Sequence, residues 1–70
     1  MANFSKINIL IKKQYPQLDI EVVRGVGYIY FSGNDGYNID SIMTHPVTTS
    51  TEDVLRMCLS EIDEYTKGQL

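Results

Sequence analysis

Two pairs of glycines bracket a short aromatic run: Gly25 and Gly27 stand just before and around Tyr28-Ile29-Tyr30-Phe31, and Gly33 and Gly36 follow it. β-Branched and aromatic residues favour extended backbone, whereas Gly, Asn and Asp tolerate the positive φ of tight turns. The chain must therefore reverse on both sides of the run. Upstream, Leu18-Asp19-Ile20-Glu21-Val22-Val23 alternates, so Leu18, Ile20 and Val22 would face inward and Asp19 and Glu21 water. These two segments predict a hairpin turned at Arg24-Gly25, with Val26–Ser32 as its second strand. After the turn Gly33-Asn34-Asp35-Gly36, the stretch Tyr37–Met43 predicts a third strand. It would set Tyr37, Ile39 and Ser41 on one face and Asn38, Asp40 and Ile42 on the other.

Helical spacing appears at both ends. Phe4, Ile7, Leu10, Ile11 and Tyr15 recur at intervals of three and four, with Asn3 placed to cap and Pro16 to stop a helix. Lys12 and Lys13 suit a helix C-terminus, while the alternation of Ile7, Ile9 and Ile11 leaves a strand as the alternative. After the loop Thr44–Ser50, Ser50 or Thr51 caps a second helix, with Glu52 and Asp53 at its positive end and Gly68 to stop it. Val54, Leu55, Cys58, Leu59, Ile62 and Tyr65 form its apolar stripe, and Glu52–Arg56 and Asp63–Lys67 are spaced as ion pairs. The expected fold class is α+β: α-β-β-β-α, one domain over residues 1–70, a three-stranded antiparallel meander with two helices packed on one face.

A chain of 70 residues buries only about 60% of its unfolded surface and has no length for a second domain or a deep cleft. No run is apolar enough to span a bilayer, and no signal-peptide pattern opens the chain. The lone Cys58 makes no internal disulfide, which fits a reducing, cytoplasmic setting. Charge is uneven: four basic against two acidic side chains up to Arg24, two against seven beyond it, for a net charge of −3. Such a surface repels phosphate backbones and favours protein partners.

Catalytic and metal motifs are not found. Gly25-x-Gly27 lacks the third glycine of a dinucleotide fingerprint, Gly33–Gly36 lacks the alternating ligands of a calcium loop, and His45 stands alone beside Pro46. Cys58 falls in the apolar stripe, as a core residue would. The expectation is no enzyme, no cofactor and no metal site. If Ile29 and Phe31 face the helices, Tyr28 and Tyr30 lie on the open sheet face beside Tyr37, where tyrosines serve as interface anchors. Asp53, Glu61 and Glu64 form a carboxylate group on the last helix, more simply solvation than a DNA-mimicking stripe.

Arg24–Phe31, "RGVGYIYF", resembles the first ribonucleoprotein motif of RNA-recognition domains. Only 23 residues precede it, too few for the strand, helix and strand that come first in that fold, and Val26 replaces one of the stacking aromatics. Over Leu18–Leu59, and most closely over Glu21–Phe31, the chain resembles small, largely uncharacterised bacterial and prophage-borne proteins. Those carry Glu-Leu-Val-Lys-Gly-x-Gly-Tyr-x-Tyr-Phe; Arg24 takes the place of their lysine. The likeness lapses at "MTHPVTTS", where they have aromatic and arginine residues. The resemblance implies a mobile-element origin and no reaction. The expected element order with an acidic surface is also similar to some phage anti-CRISPR inhibitors, a likeness of fold alone. These readings lead to a non-enzymatic protein-binding module that modulates or inhibits a host protein, with Tyr28, Tyr30, Tyr37, Asp53, Glu61 and Glu64 as its partner-binding residues. The alternatives are a single-stranded nucleic-acid binder using Tyr28 and Tyr30, and a homodimeric assembly factor.

Overall fold

A computed structural model describes residues 2–68. The elements run α1 (Phe4–Gln14), β1 (Glu21–Arg24), β2 (Ile29–Ser32), a 3₁₀ turn (Gly36–Asn38) and α2 (Thr51–Gly68). Both helices begin where capping chemistry places them. The Asn3 Oδ1 accepts the Lys6 amide at 3.1 Å, and the Ser50 Oγ accepts the Asp53 amide at 3.1 Å. The two starts are tied together, because the Asn3 amide donates to the Thr51 Oγ1 at 2.9 Å. Helix α1 is released at Tyr15, before Pro16. Helix α2 runs from Thr51 to Gly68, the last described residue, so the expected stop at Gly68 turns on residues outside those described.

The sheet corrects the expectation of a three-stranded meander: it has two antiparallel strands, with Glu21 opposite Ser32, Val22 opposite Phe31, Val23 opposite Tyr30 and Arg24 opposite Ile29. Tyr37–Met43 is not a strand. Among the described residues its one backbone pairing with the sheet is the bridge of Ile42 to Ile29, where each amide donates to the other carbonyl at 2.8 and 2.9 Å. The reason lies in the preceding turn. Gly33 adopts φ +95° and packs against the Asp19 backbone, and the Asp35 amide donates to the Asp19 carbonyl at 3.0 Å. Thus the chain turns against the residues just before β1 and lays a 3₁₀ turn on β2 instead of extending beside it as a third strand. The amides of Tyr37, Asn38 and Ile39 then donate to Gly33, Asp35 and Gly36 carbonyls at 3.1–3.2 Å, leaving none of the three for β2. The expected facing of that segment fails with it: Ile39 is buried, while Tyr37 and Ser41 are exposed.

Both strands are also shorter than their sequence pattern. Leu18 and Ile20 are half-buried and Asp19 is exposed, as alternation requires, but the polar groups of Asp19 serve the turn at Asp35. Before β2, Gly25–Tyr28 forms the hairpin turn, closed by the Gly25 amide on the Tyr28 carbonyl at 2.8 Å, with Gly27 at φ +78°. The ribonucleoprotein-like residues therefore span a turn and parts of two strands, and Val26 at the tip is 97% exposed.

The buried side chains form one cluster: Ile7 and Ile11 of α1, Val54, Cys58 and Ile62 of α2, and Val22, Ile29 and Phe31 of the sheet, joined by Ala2 and Ile39. The edge of β1 is sealed by a side chain. Asn8 on α1 accepts the Val22 amide at 2.7 Å through Oδ1 and donates from Nδ2 to the Val22 carbonyl at 3.1 Å. A carboxamide so placed satisfies the strand as a neighbouring peptide unit would.

Candidate protein-binding face

Strand alternation decides which side of β2 meets the core. Ile29 and Phe31 are buried, whereas Tyr30 is 36% exposed and Tyr28 half-buried on the opposite face. Tyr28 lies across the hairpin turn from Gly25, and a Cβ on Gly25 would come within 2.6–2.9 Å of three Tyr28 ring atoms. The ring thus covers backbone that a side chain would otherwise shield. It meets Tyr30 with ring centroids 5.8 Å apart and planes tilted by 33°.

The third tyrosine arrives from the other side. Tyr37 is 82% exposed on the 3₁₀ turn, and it lines, with Tyr28, Tyr30, Ile39 and Ser41, an open groove of about 540 Å³. Tyr28, Tyr30 and Tyr37, singled out from sequence, are therefore brought together, although Tyr37 gets there from a turn and not from a strand. Gly36 makes this close approach workable, since a Cβ there would sit 3.0 Å from the Phe31 backbone carbon.

The carboxylates divide. Glu61 and Glu64 line a smaller depression of about 200 Å³ with Asn38, Ile39, Asp40 and Tyr65. Asp53 does not join them: it pairs with Arg56 at 3.0 Å in the first turns of α2, about 16 Å along the helix axis from Glu64 at 1.5 Å per residue. That pair replaces the expected Glu52–Arg56 pair; Asp63–Lys67 forms at 3.2 Å. Asp40 was missed as a site residue. Its signal, a carboxylate beside the tyrosine-bearing segment, was hidden by reading the segment as a strand whose two faces part.

A second feature invisible in the sequence holds the two depressions in place. The Tyr65 hydroxyl donates to the Asp35 carboxylate at 2.9 Å, and the Asp19 amide donates to the same carboxylate at 2.7 Å. Both donors hold the Asp35 carboxyl below its usual range, the Asp19 amide most strongly. In return the Asp35 bond, more than burial, raises the Tyr65 phenol. Cys58 is buried under the same helix; burial first, and the Glu61 charge second, push its thiol up to about 12. It is a packed core atom with no thiolate to offer at neutral pH. His45 is exposed in its loop, where its carbonyl accepts the Thr49 hydroxyl at 2.7 Å.

Among the described residues no helix is long and apolar enough to cross a membrane, and no cluster of three or more His, Cys, Asp or Glu side chains is arranged for a metal ion. Compared with known proteins, the chain matches no family model, no curated protein and no solved structure, so the reading of this face rests on its own geometry.

Proposed function

We propose that this chain is a non-enzymatic protein-binding module, encoded by a phage or other mobile element, which modulates or inhibits a host protein in the cytoplasm. An anti-CRISPR or other anti-defence inhibitor is its most concrete form. The observation that carries the proposal is the convergence of Tyr28, Tyr30 and Tyr37 on one open groove. A water-facing strand with no partner ordinarily carries Thr, Lys or Glu, while rigid amphipathic tyrosines are what interfaces use as anchors. The mobile-element origin rests on the resemblance read from the residues Glu21–Phe31 alone.

The test is the double variant Tyr28→Ala/Tyr30→Ala. Both rings face away from the core cluster, so the variant should keep its cooperative unfolding, with a midpoint within about 5 °C of wild type. Capture of host proteins and native mass, measured on both chains, should show complexes weakened by more than about 1 kcal/mol per tyrosine. An unfolded variant, or unchanged complexes, would sink the proposal. If the complex that disappears is a dimer of this chain, the homodimeric reading takes its place.

A second reading, a single-stranded nucleic-acid binder, has one observation in its favour: the adjacent Tyr28 and Tyr30 rings could stack on bases. The neighbouring Asp40, Glu61 and Glu64 oppose it. Submicromolar binding of oligonucleotides at about 150 mM salt, lost in Tyr28→Ala, would favour it.

A further inference from the structure

The tyrosine groove does not stand alone. It shares Ile39 with the depression that holds Asp40, Glu61 and Glu64, and Ser41 with a third of about 270 Å³ lined also by Ile42, Met43 and Met57. Glu61 borders both of the latter. The three form one continuous surface around residues 38–43. Its lining includes three carboxylates and no Lys, Arg or His. Asp53 and Asp63 pair with Arg56 and Lys67, whereas among the described residues no ion pair is seen for Asp40, Glu61 or Glu64.

Aromatic faces beside unpaired carboxylates select a particular cation. A guanidinium is planar and weakly hydrated, stacks on tyrosine faces, and donates two parallel hydrogen bonds to a carboxylate. A lysine ammonium does only part of this. A chain of shallow, adjoining depressions, rather than one closed cavity, suits an extended segment with successive side chains laid into it. We infer that the occupant of this surface is an arginine-bearing extended segment of a partner protein. Its guanidinium groups pack on Tyr28, Tyr30 and Tyr37 and pair with Asp40, Glu61 and Glu64. This rests on the protein-binding reading and names the partner's chemistry.

The probe is a labelled peptide alternating arginine and glycine, titrated by fluorescence anisotropy against the full chain. Its citrulline counterpart keeps the shape and removes the charge. The arginine peptide should bind, and weaken by about tenfold between roughly 50 and 300 mM salt. Tyr28→Ala/Tyr30→Ala should cost at least about tenfold in affinity, and the near-isosteric Glu61→Gln/Glu64→Gln about fivefold, with thermal unfolding of each variant as the control on folding. The citrulline peptide should bind at least about tenfold more weakly than the arginine one. If instead the two peptides bind alike and both are lost in the tyrosine variant, the arginine inference fails and the protein-binding reading stands. Equal binding of the arginine peptide by all variants would mean general attraction to an acidic protein and overturns the inference. So does the absence of any peptide binding, while the capture and mass measurements above continue to read the protein-binding proposal separately. Tighter binding of a single-stranded oligonucleotide than of any peptide overturns both.

Discussion

At Gly33, φ is +95° and a Cβ would fall on the Asp19 carbonyl oxygen, which is backbone and cannot swing aside. Gly33→Ala should therefore lower the unfolding free energy by about 2–4 kcal/mol, read from urea titrations, with strain and displacement of the turn both contributing. At Gly27 the φ is +78° but the space is open, so only the conformational cost arises there. The need for glycine at both positions was legible in the turn composition. What Asp35 does was not, because its donors Asp19 and Tyr65 are 16 and 30 residues away in the chain. Its lowered pKa gives a sign that can be measured. The stabilisation from charged Asp35 is present above the unfolded value of 3.8 and is lost as pH falls through the lower folded value. Tyr65, raised from 10.0, contributes below that value and loses its contribution as pH rises through the folded one. Asp35→Asn should flatten the acid limb of a plot of unfolding midpoint against pH and leave the region between pH about 5 and 8 level. An unchanged acid limb would show that the carboxylate is not held as its bonds imply.

Elements were read from period and caps, and the two helices lie where those signals put them, since Asn3 and Ser50 each find an amide three residues on. The third strand failed for a local reason. Alternation says that a segment can be extended, but its amides are available to a neighbour only if the turn before it has not used them, and the turn at Gly33–Gly36 uses three. The sealed edge of β1 is likewise unreadable from period. Asn8 sits between Ile7 and Ile9 as an ordinary polar helix position, and only the docking of α1 against β1 gives it the Val22 peptide groups. Asn8→Ala should leave that amide and carbonyl without their partner, at about 1–3 kcal/mol. It should also open a strand edge to pairing with other chains. Chemical denaturation checks the first effect; light scattering near the unfolding midpoint, raised relative to wild type, checks the second. A neutral, soluble variant would mean that water replaces Asn8 without loss.

For the whole molecule, one cluster links both helices and the sheet, and Ile29 lies at its centre with no exposed surface, paired across to Arg24 and bridged to Ile42. Removing its side chain to Ala should cost about 2–5 kcal/mol through lost burial and an unfilled cavity. Because the same cluster holds every element, far- and near-ultraviolet circular dichroism should lose signal together in that variant, in one transition at a lower midpoint. Separate transitions would show that the hairpin and the helices are held independently. The contrast with Tyr28→Ala/Tyr30→Ala is informative: adjacent positions along residues 28–31 should divide into those whose loss collapses the core and those whose loss mainly weakens binding.

That division was already present in the alternation of residues 28–31, because a strand's side chains point to opposite faces whatever surrounds it, and the helix caps and glycine turns are equally local. The sequence by itself determined these features, along with the acidic balance of the second half of the chain. Only the tertiary structure decided that Tyr37 would reach the groove from a 3₁₀ turn, that Asp40 would stand with Glu61 and Glu64 while Asp53 pairs with Arg56, and that the sheet would stop at two strands. The places of Tyr37 and Asp40 depend on polar groups that meet across long stretches of chain, Asp19 with Asp35 and Asp35 with Tyr65, as the closed edge of β1 depends on Asn8 with Val22. Hydrogen bonds between such distant residues form only when packing of the core brings their elements together, and no period or motif in the sequence records them.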